Sequence, residues 1–196
     1  MALSLRKKGV FFTIISLTLL GILLFSFTTF YQYRQKDKFS VVEARIESMD
    51  KLLLNLEKDM EKGAYIASFR ALISMEEYIA NKGNFMDDLD LRFEELFLNG
   101  TLYGNSTFIM ENNTFSNWTQ KMQEQAQLMD ITFGLAVKNI TLFQDSAWTV
   151  KVTVNSSISL SDTKGIAQWT SNKSVTATID ITGFDDPLYA AYTGER

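Results

Sequence analysis

The chain has no cysteine, no histidine and a single proline, Pro187, in 196 residues. Without cysteine it can form no disulfide framework, and without cysteine or histidine it can build no zinc site of the usual kind. Ser-His-Asp and Cys-His catalysis are excluded for the same reason. A domain outside the cytoplasm that lacks disulfides must hold together by packing, which suits a bacterial or archaeal envelope better than a eukaryotic secretory route. With Pro187 the only proline, none interrupts a helix over residues 10–62. Basic excess is lacking too. Nineteen Lys and Arg against twenty-three Asp and Glu give a net charge of −4, and an acidic total argues against nucleic acid as a partner.

What is present is uneven. Arg6, Lys7 and Lys8 open the chain, and Arg34, Lys36 and Lys38 follow a run of uncharged residues, 10–31, that reads VFFTIISLTLLGILLFSFTTFY. About 20 such residues span a bilayer core at roughly 1.5 Å per residue. A cleaved secretory signal would have a shorter apolar stretch followed by small residues; here Thr-Phe-Tyr-Gln-Tyr-Arg follows, so a retained helix is expected. A short basic leader stays in the cytoplasm, which predicts a single-pass cell-membrane protein with its N-terminus inside and its C-terminal domain outside. The lipid bilayer is then the first partner, with Tyr31 and Tyr33 at the outer interface.

After Arg34 apolar residues recur at Val42, Ile46, Met49, Leu53, Leu56 and Met60, which is one helix face. Charges fill the remaining positions, and Glu47 with Lys51 has favourable i,i+4 spacing. The stripe is shorter than a sustained coiled coil, so a helix packing on its own domain is favoured over a self-associating stalk. Gly63 reads as a bend, followed by a helix over 64–80 with Ile66, Phe69, Leu72 and Ile73 inward and Asn81-Lys82-Gly83 as its stop. A helix over 87–98 has Leu89, Phe93, Leu96 and Phe97 apolar, with Asn99-Gly100 at its end. A small hairpin is expected near Gly104-Asn105. A further helix over 117–129, opened by Asn117 with Gln120 at capping-box spacing, points Trp118, Met122, Ala126 and Met129 inward.

Past Asp130 the period changes to two. Strands are expected over 131–143, 148–160, 166–170 and 174–182, with turns at Gln144-Asp145-Ser146 and Asp162-Thr163-Lys164-Gly165 and a stop at Pro187. Short linkers favour an antiparallel meander. The expected fold is therefore α+β: a long N-terminal transmembrane helix continuing into an amphipathic stalk, further helices, and a C-terminal antiparallel β-meander. The expected boundaries are a basic leader at 1–9, a transmembrane helix at 10–33, a helical region at 34–129 and a sheet region at 130–196, with 34–196 as one extracytoplasmic domain.

Seven of the eleven asparagines stand in N-x-S/T sequons: Asn99, Asn105, Asn112, Asn117, Asn139, Asn155 and Asn172. Chance would give roughly two or three in a Ser/Thr-rich chain. They are candidate N-glycosylation sites on the side expected to lie outside, against the plainer reading that a Thr-rich sheet generates sequons freely.

Catalytic candidates are weak. Glu76-Glu77, Asp87-Asp88, Glu94-Glu95 and Asp185-Asp186 are adjacent in sequence, and adjacent helical residues point apart rather than forming an acid/base pair. Two acids at Asp185-Asp186 fall short of the six to eight oxygens that calcium takes. Trp118, Trp148 and Trp169 read as core residues rather than as a glycan-binding platform. No catalytic residue, metal site or cofactor is expected.

The leader carries a more specific signal. Arg6-Lys7-Lys8-Gly9-Val10-Phe11-Phe12-Thr13 resembles the leader of type IV prepilins, in which a peptidase cuts after the glycine that precedes the hydrophobic helix. Cleavage would fall between Gly9 and Val10. Many such pilins carry Glu at the fifth mature position, where this chain has Ile14. A wider set of motifs lies in order along nearly the whole chain: the leader and its helix, DMEKGAYIASFRAL from Asp59, Gln144-Asp145-Ser146-Ala147-Trp148, Ile166-Ala167-Gln168-Trp169, and the stretch from Gly183 to Tyr189. Together they resemble an uncharacterised group of archaeal, membrane-anchored, pilin-like proteins. The resemblance implies an archaeal envelope location, a long N-terminal helix capped by a sheet, and other pilin-like subunits as partners through that helix. It implies no catalytic residues. The expected function is a structural or adhesive filament or surface component, with a non-polymerising binding or sensing module as the alternative.

Overall fold

The computed structural model describes residues 2–184, 186, 189 and 192, and for residues 2–8, 35, 37 and 38 the helical backbone alone. The expected stop at Pro187 lies outside them. The chain is α+β: a long N-terminal helix, further helices and a C-terminal three-stranded antiparallel sheet. It divides into two compact units, Met1–Ser48 and Met49–Arg196. Helix α1, Ala2–Lys82, contributes residues to both.

The first unit is helical throughout its described residues, and its apolar side chains are exposed. Val42 and Ile46, the first two positions of the expected stripe, are among them.

In the second unit the buried face of α1 begins at Met49 and runs through Leu56, Met60, Ala64, Ala67, Ala71 and Met75. From Ala64 to Ser74 the buried positions are small, Ser68 and Ser74 included, and Met75 closes the face; Phe69 and Leu72 are half-buried against the core as expected, Ile73 is half-buried and Ile66 is exposed. This corrects the expected inward set at Ile66 and adds the small residues to it. A helix face made of alanine and serine allows close approach, and the bulk of the core comes from the elements laid against it. Gly63 does not bend the chain, and α1 continues through it to Lys82. The glycine is needed by packing instead. A Cβ placed there would fall 2.8 Å from the Trp118 ring. The helix stops where expected, at Gly83, whose φ is +70° and whose N–H donates to the Ile79 carbonyl at 2.8 Å.

Helix α2, Leu89–Asn99, buries Phe93, Leu96 and Phe97, and ends at Gly100 with φ +71°. Leu89 is exposed. Strands β1, Thr101–Leu102, and β2, Asn105–Ser106, form the expected hairpin with Tyr103 and Gly104 at its turn, both at positive φ. A 3-10 turn, Phe108–Met110, leads to α3, Phe115–Gln127. Its N-cap is Thr114 rather than Asn117: the Thr114 hydroxyl accepts from the Asn117 N–H at 3.0 Å, and Asn117 Oδ1 accepts from the Thr114 N–H at 3.2 Å. The helix ends at Gln127, two residues short of the expected bound, and Met129, beyond its end, is exposed. A file of stacked rings, Phe93–Phe97–Phe115–Trp118, with centroids 5.8, 4.9 and 5.1 Å apart, joins α2 to α3 and ends on Gly63 of α1. Each such pair is worth about 0.5–1.5 kcal/mol beyond the area it buries.

The sheet consists of β3, Ile131–Ser146, β4, Thr149–Asp162, and β5, Gln168–Asp180, in the order β3-β4-β5, all antiparallel. The two short strands expected over 166–182 are one, because Ser171, Asn172 and Lys173 keep their pairing with β4. The first turn is tighter than expected: Ser146 pairs with Thr149, leaving only Ala147 and Trp148 to turn the chain. That places Trp148 at a hairpin tip, 61% exposed, and not in the core. Trp118 and Trp169 are half-buried against the core. At the second turn Asp162 Oδ2 accepts from the N–H of Lys164 at 3.0 Å and of Ile166 at 3.3 Å.

Alternation sets the two faces of the sheet. Val152, Val154, Ser156, Ile158 and Leu160 of β4 are buried, with Ile131, Phe133, Ala177 and Ile179 beside them. Helix α1 crosses this inner face. The Ser156 hydroxyl reaches Met60 Sδ at 3.7 Å, and Lys173 Nζ pairs with Glu57 at 2.7 Å.

Candidate functional site

Three features carry chemistry, and the apolar segment of α1 comes first. It is long and apolar enough to cross a membrane, and none of it is buried. Phe11, Leu17, Ile22 and Phe25 are all more than 60% exposed. Its four threonine hydroxyls are satisfied within the helix: Thr13 donates to the Val10 carbonyl at 2.8 Å, Thr18 to Ile15 at 2.9 Å, and Thr28 and Thr29 to Phe25 at 2.9 Å. Lipid imposes this condition, because hydrocarbon offers no hydrogen-bond partner. The helix is compatible with a single-pass membrane anchor. Gly9 and Val10, the candidate cleavage pair, are both helical and exposed, and a Cβ on Gly9 would meet nothing within 4 Å. Packing therefore does not require glycine at position 9, in contrast to Gly63.

The second feature is the set of sequons. Asn99, Asn105, Asn112, Asn139 and Asn172 are exposed, whereas Asn117 and Asn155 are half-buried. In the helical half the hydroxyl of every sequon has an internal task. Thr101 donates to Glu95 at 2.9 Å, Thr107 to the Gly100 carbonyl at 3.2 Å and Thr119 to the Phe115 carbonyl at 3.0 Å, while Thr114 caps α3. Local folding thus accounts for these threonines independently of any glycan. In the sheet, Asn139 lies directly opposite Asn155, which lies opposite Ser174. Asn172 is two residues away on the same outer face, and its carboxamide oxygen accepts from Lys138 Nζ at 2.7 Å. Three sequons therefore share one patch of the outer face. Thr153 and Thr176 extend the patch, their hydroxyls 3.1 Å apart.

The third feature brings together acids that are eight residues apart, a pairing that adjacent-pair reasoning missed. Glu95 Oε1 accepts from the Thr101 hydroxyl at 2.9 Å and the Gly104 N–H at 2.7 Å, while Oε2 accepts from Arg92 at 3.0 Å and the Tyr103 N–H at 3.3 Å. Arg92 also lies over the Tyr103 ring, 4.1 Å from its centroid. The Tyr103 hydroxyl donates to Asp87, whose Oδ1 is 3.6 Å from Arg92 Nε. Burial pushes the Glu95 carboxyl up, but the Gly104 N–H, the Thr101 hydroxyl and Arg92 outweigh it and hold the group below its ordinary range. The Tyr103 hydrogen bond, aided by Arg92, holds Asp87 low as well, and pushes the Tyr103 phenol up. A carboxylate held ionised by four donors is a poor proton acceptor, so this cluster is built to hold the β1–β2 hairpin on α2. The i+3 spacing of Arg92 and Glu95 was the one signal in sequence.

The other adjacent acids do not converge. Glu94 and Glu77 point to solvent, and Asp185 lies outside the described residues. Among the described residues no group of three or more His, Cys, Asp or Glu could hold a metal ion. Comparison of the chain with protein-family models, with curated proteins and with solved structures finds no match.

Proposed function

We propose that this chain is a membrane-anchored envelope protein of pilin-like plan. The 10–31 segment crosses the bilayer, the leader remains in the cytoplasm, and residues 34–196 form a structural or adhesive domain outside the cell. The observation that carries the reading is the exposed apolar surface of α1 over 10–31 with its threonine hydroxyls bonded internally. An apolar surface of this extent is not left in water. The basic triplet Arg6-Lys7-Lys8 supports the orientation. Gly9, which packing does not require, supports processing before Val10. The amphipathic stretch after Arg34 serves as the stalk, and the exposed sequons, if occupied, make the protein a glycoprotein. The proposed role is structural rather than enzymatic.

Ile14 favours a second reading. Without an acid at this position the helix lacks the feature that many pilins carry, and the protein acts as a non-polymerising surface binding or sensing module. The mature N-terminus, read by mass spectrometry on protein extracted from native membranes, separates the two. A start at Val10 supports the filament component. An intact Met1–Gly9 leader overturns it and leaves the anchored module.

A further inference from the structure

The apolar span of α1 ends on charge. Arg34, Lys36 and Lys38 follow it with one acid, Asp37, among them, so the C-terminal flank of the span is basic like the leader. Positive charge is normally concentrated on the cytoplasmic side, and a basic flank on the other side needs a compensating anion. Just before this flank the helix surface is hollowed. Ser26, Thr29, Phe30, Tyr33 and Arg34 share one helix face and line a groove of about 500 Å³. Ser26 and Thr29 are small and form its floor. The Thr29 hydroxyl is turned back to the Phe25 and Ser26 carbonyls at 2.9 and 3.0 Å, which leaves its methyl group to the groove. Phe30 and Tyr33 stand beside the floor, 69% and 74% exposed.

We propose that this groove holds an anionic phospholipid of the outer leaflet, with its phosphate on Arg34 and Tyr33 and an acyl chain along Ser26 and Thr29. The proposal rests on the anchored reading above and adds the class of lipid that the anchor selects. Groove and lipid agree in length and in the order of their groups. Residues 10–31 fill the hydrocarbon core at about 1.5 Å per residue, so Tyr31 marks its outer boundary. Ser26 then lies about 7 Å inside that boundary and Arg34 about 4–5 Å beyond it, in the headgroup layer. Hydrocarbon therefore meets Ser26, Thr29 and Phe30, while the Arg34 guanidinium and the Tyr33 phenol stand at the level of the phosphates. A guanidinium grips a phosphate through two parallel N–H donors, and a tyrosine suits the interface by its apolar ring and polar hydroxyl. The basic flank repels a choline group, so a headgroup of net negative charge is preferred to a zwitterionic one.

The test uses the full chain in bilayer nanodiscs made of equal parts phosphatidylcholine and phosphatidylglycerol. Native mass spectrometry of the released protein reads which lipids stay bound. Phosphatidylglycerol is expected to be retained over phosphatidylcholine. Arg34→Gln, which removes the charged donors, is expected to lower that preference about threefold. Thr29→Phe, which fills the floor and leaves the charge unchanged, is expected to lower it as well. Lys36→Gln, an equal loss of charge at a residue that does not line the groove, is expected to leave it in place. Equal retention of the two lipids overturns the proposal, as does an effect of Lys36→Gln as large as that of Arg34→Gln. Displacement of the lipid by millimolar inorganic phosphate would show a general anion site and overturns it too. A chain that does not enter the nanodiscs at all overturns the anchored reading itself, a result distinct from an inserted chain without lipid preference.

Discussion

The indole of Trp118 lies across Gly63, where a Cβ would fall 2.8 Å from Cγ and 2.9 Å from Cδ1 and Cδ2. The ring is rigid and is backed by Phe115 at 5.1 Å, so it cannot swing aside as a flexible chain would. Gly63→Ala is expected to destabilise the second unit by about 1–3 kcal/mol, the usual cost of overpacking. Gly9→Ala is the control, with nothing within 4 Å. Thermal unfolding followed by tryptophan fluorescence tests this, and equal melting temperatures for the two variants would refute it.

Glu95 should make the β1–β2 hairpin sensitive to acid. Its carboxyl is held below the ordinary range in the folded protein. The stabilisation is therefore fully present above the carboxyl's unfolded value and is lost as pH falls through the folded one. Protection of the Tyr103 and Gly104 amides from hydrogen exchange, relative to their intrinsic rates at each pH, should fall on acidification below the ordinary glutamate range. Glu95→Ala, which leaves their N–H groups without an acceptor, should lower it at neutral pH and cost about 1–2 kcal/mol. Amide exchange indifferent to both changes would show that the carboxylate does not hold the hairpin.

Thr114 separates a folding role from a modification role. Its hydroxyl caps α3 and also completes the Asn112 sequon. Thr114→Ala should cost about 1 kcal/mol and abolish any glycan at Asn112, whereas Asn112→Gln should remove the glycan alone. If Thr114→Ala melts with the parent protein, the capping box contributes nothing.

Glycan occupancy, where it occurs, should follow exposure. Asn99, Asn105, Asn112, Asn139 and Asn172 are expected to be modified before Asn117 and Asn155, which are half-buried, the first bound into the cap of α3 and the second in the central strand. Glycopeptide mass spectrometry of native protein reads this directly. Occupancy concentrated at Asn117 and Asn155 would contradict it.

A charge placed in the apolar run tests the anchor. Leu20→Arg should cost about 2.5–3.5 kcal/mol of insertion free energy at mid-membrane, and so shift protein from the membrane pellet to the wash after alkaline extraction. Leu20→Ala should remain in the pellet. Retention of both variants to the same extent would count against a membrane-spanning role for residues 10–31.

Much of the plan was legible because its signals are local. An uncharged run of 22 residues, the change of period from 3.6 to 2 near Asp130, the stops at Gly83 and Gly100 and the hairpin at Gly104 each depend on neighbours in sequence. Legibility failed where partners lie far apart in the chain. Gly63 reads locally as a weak point, and only Trp118, 55 residues later, shows it to be a contact. The helix of small residues after Ala64 hides its buried face, because local pattern marks large apolar side chains and not the alanines that let them approach. The cluster of Asp87, Arg92, Glu95 and Tyr103 needed α2 and the hairpin to fold back together. The single strand β5 needed β4 beside it to carry Ser171, Asn172 and Lys173 through as strand. Sequence alone thus determined which segments are helix, strand and apolar span, because backbone periodicity and capping act over a few residues. Tertiary structure decided which face is core and which acids meet, because those depend on packing between segments that the chain does not place side by side.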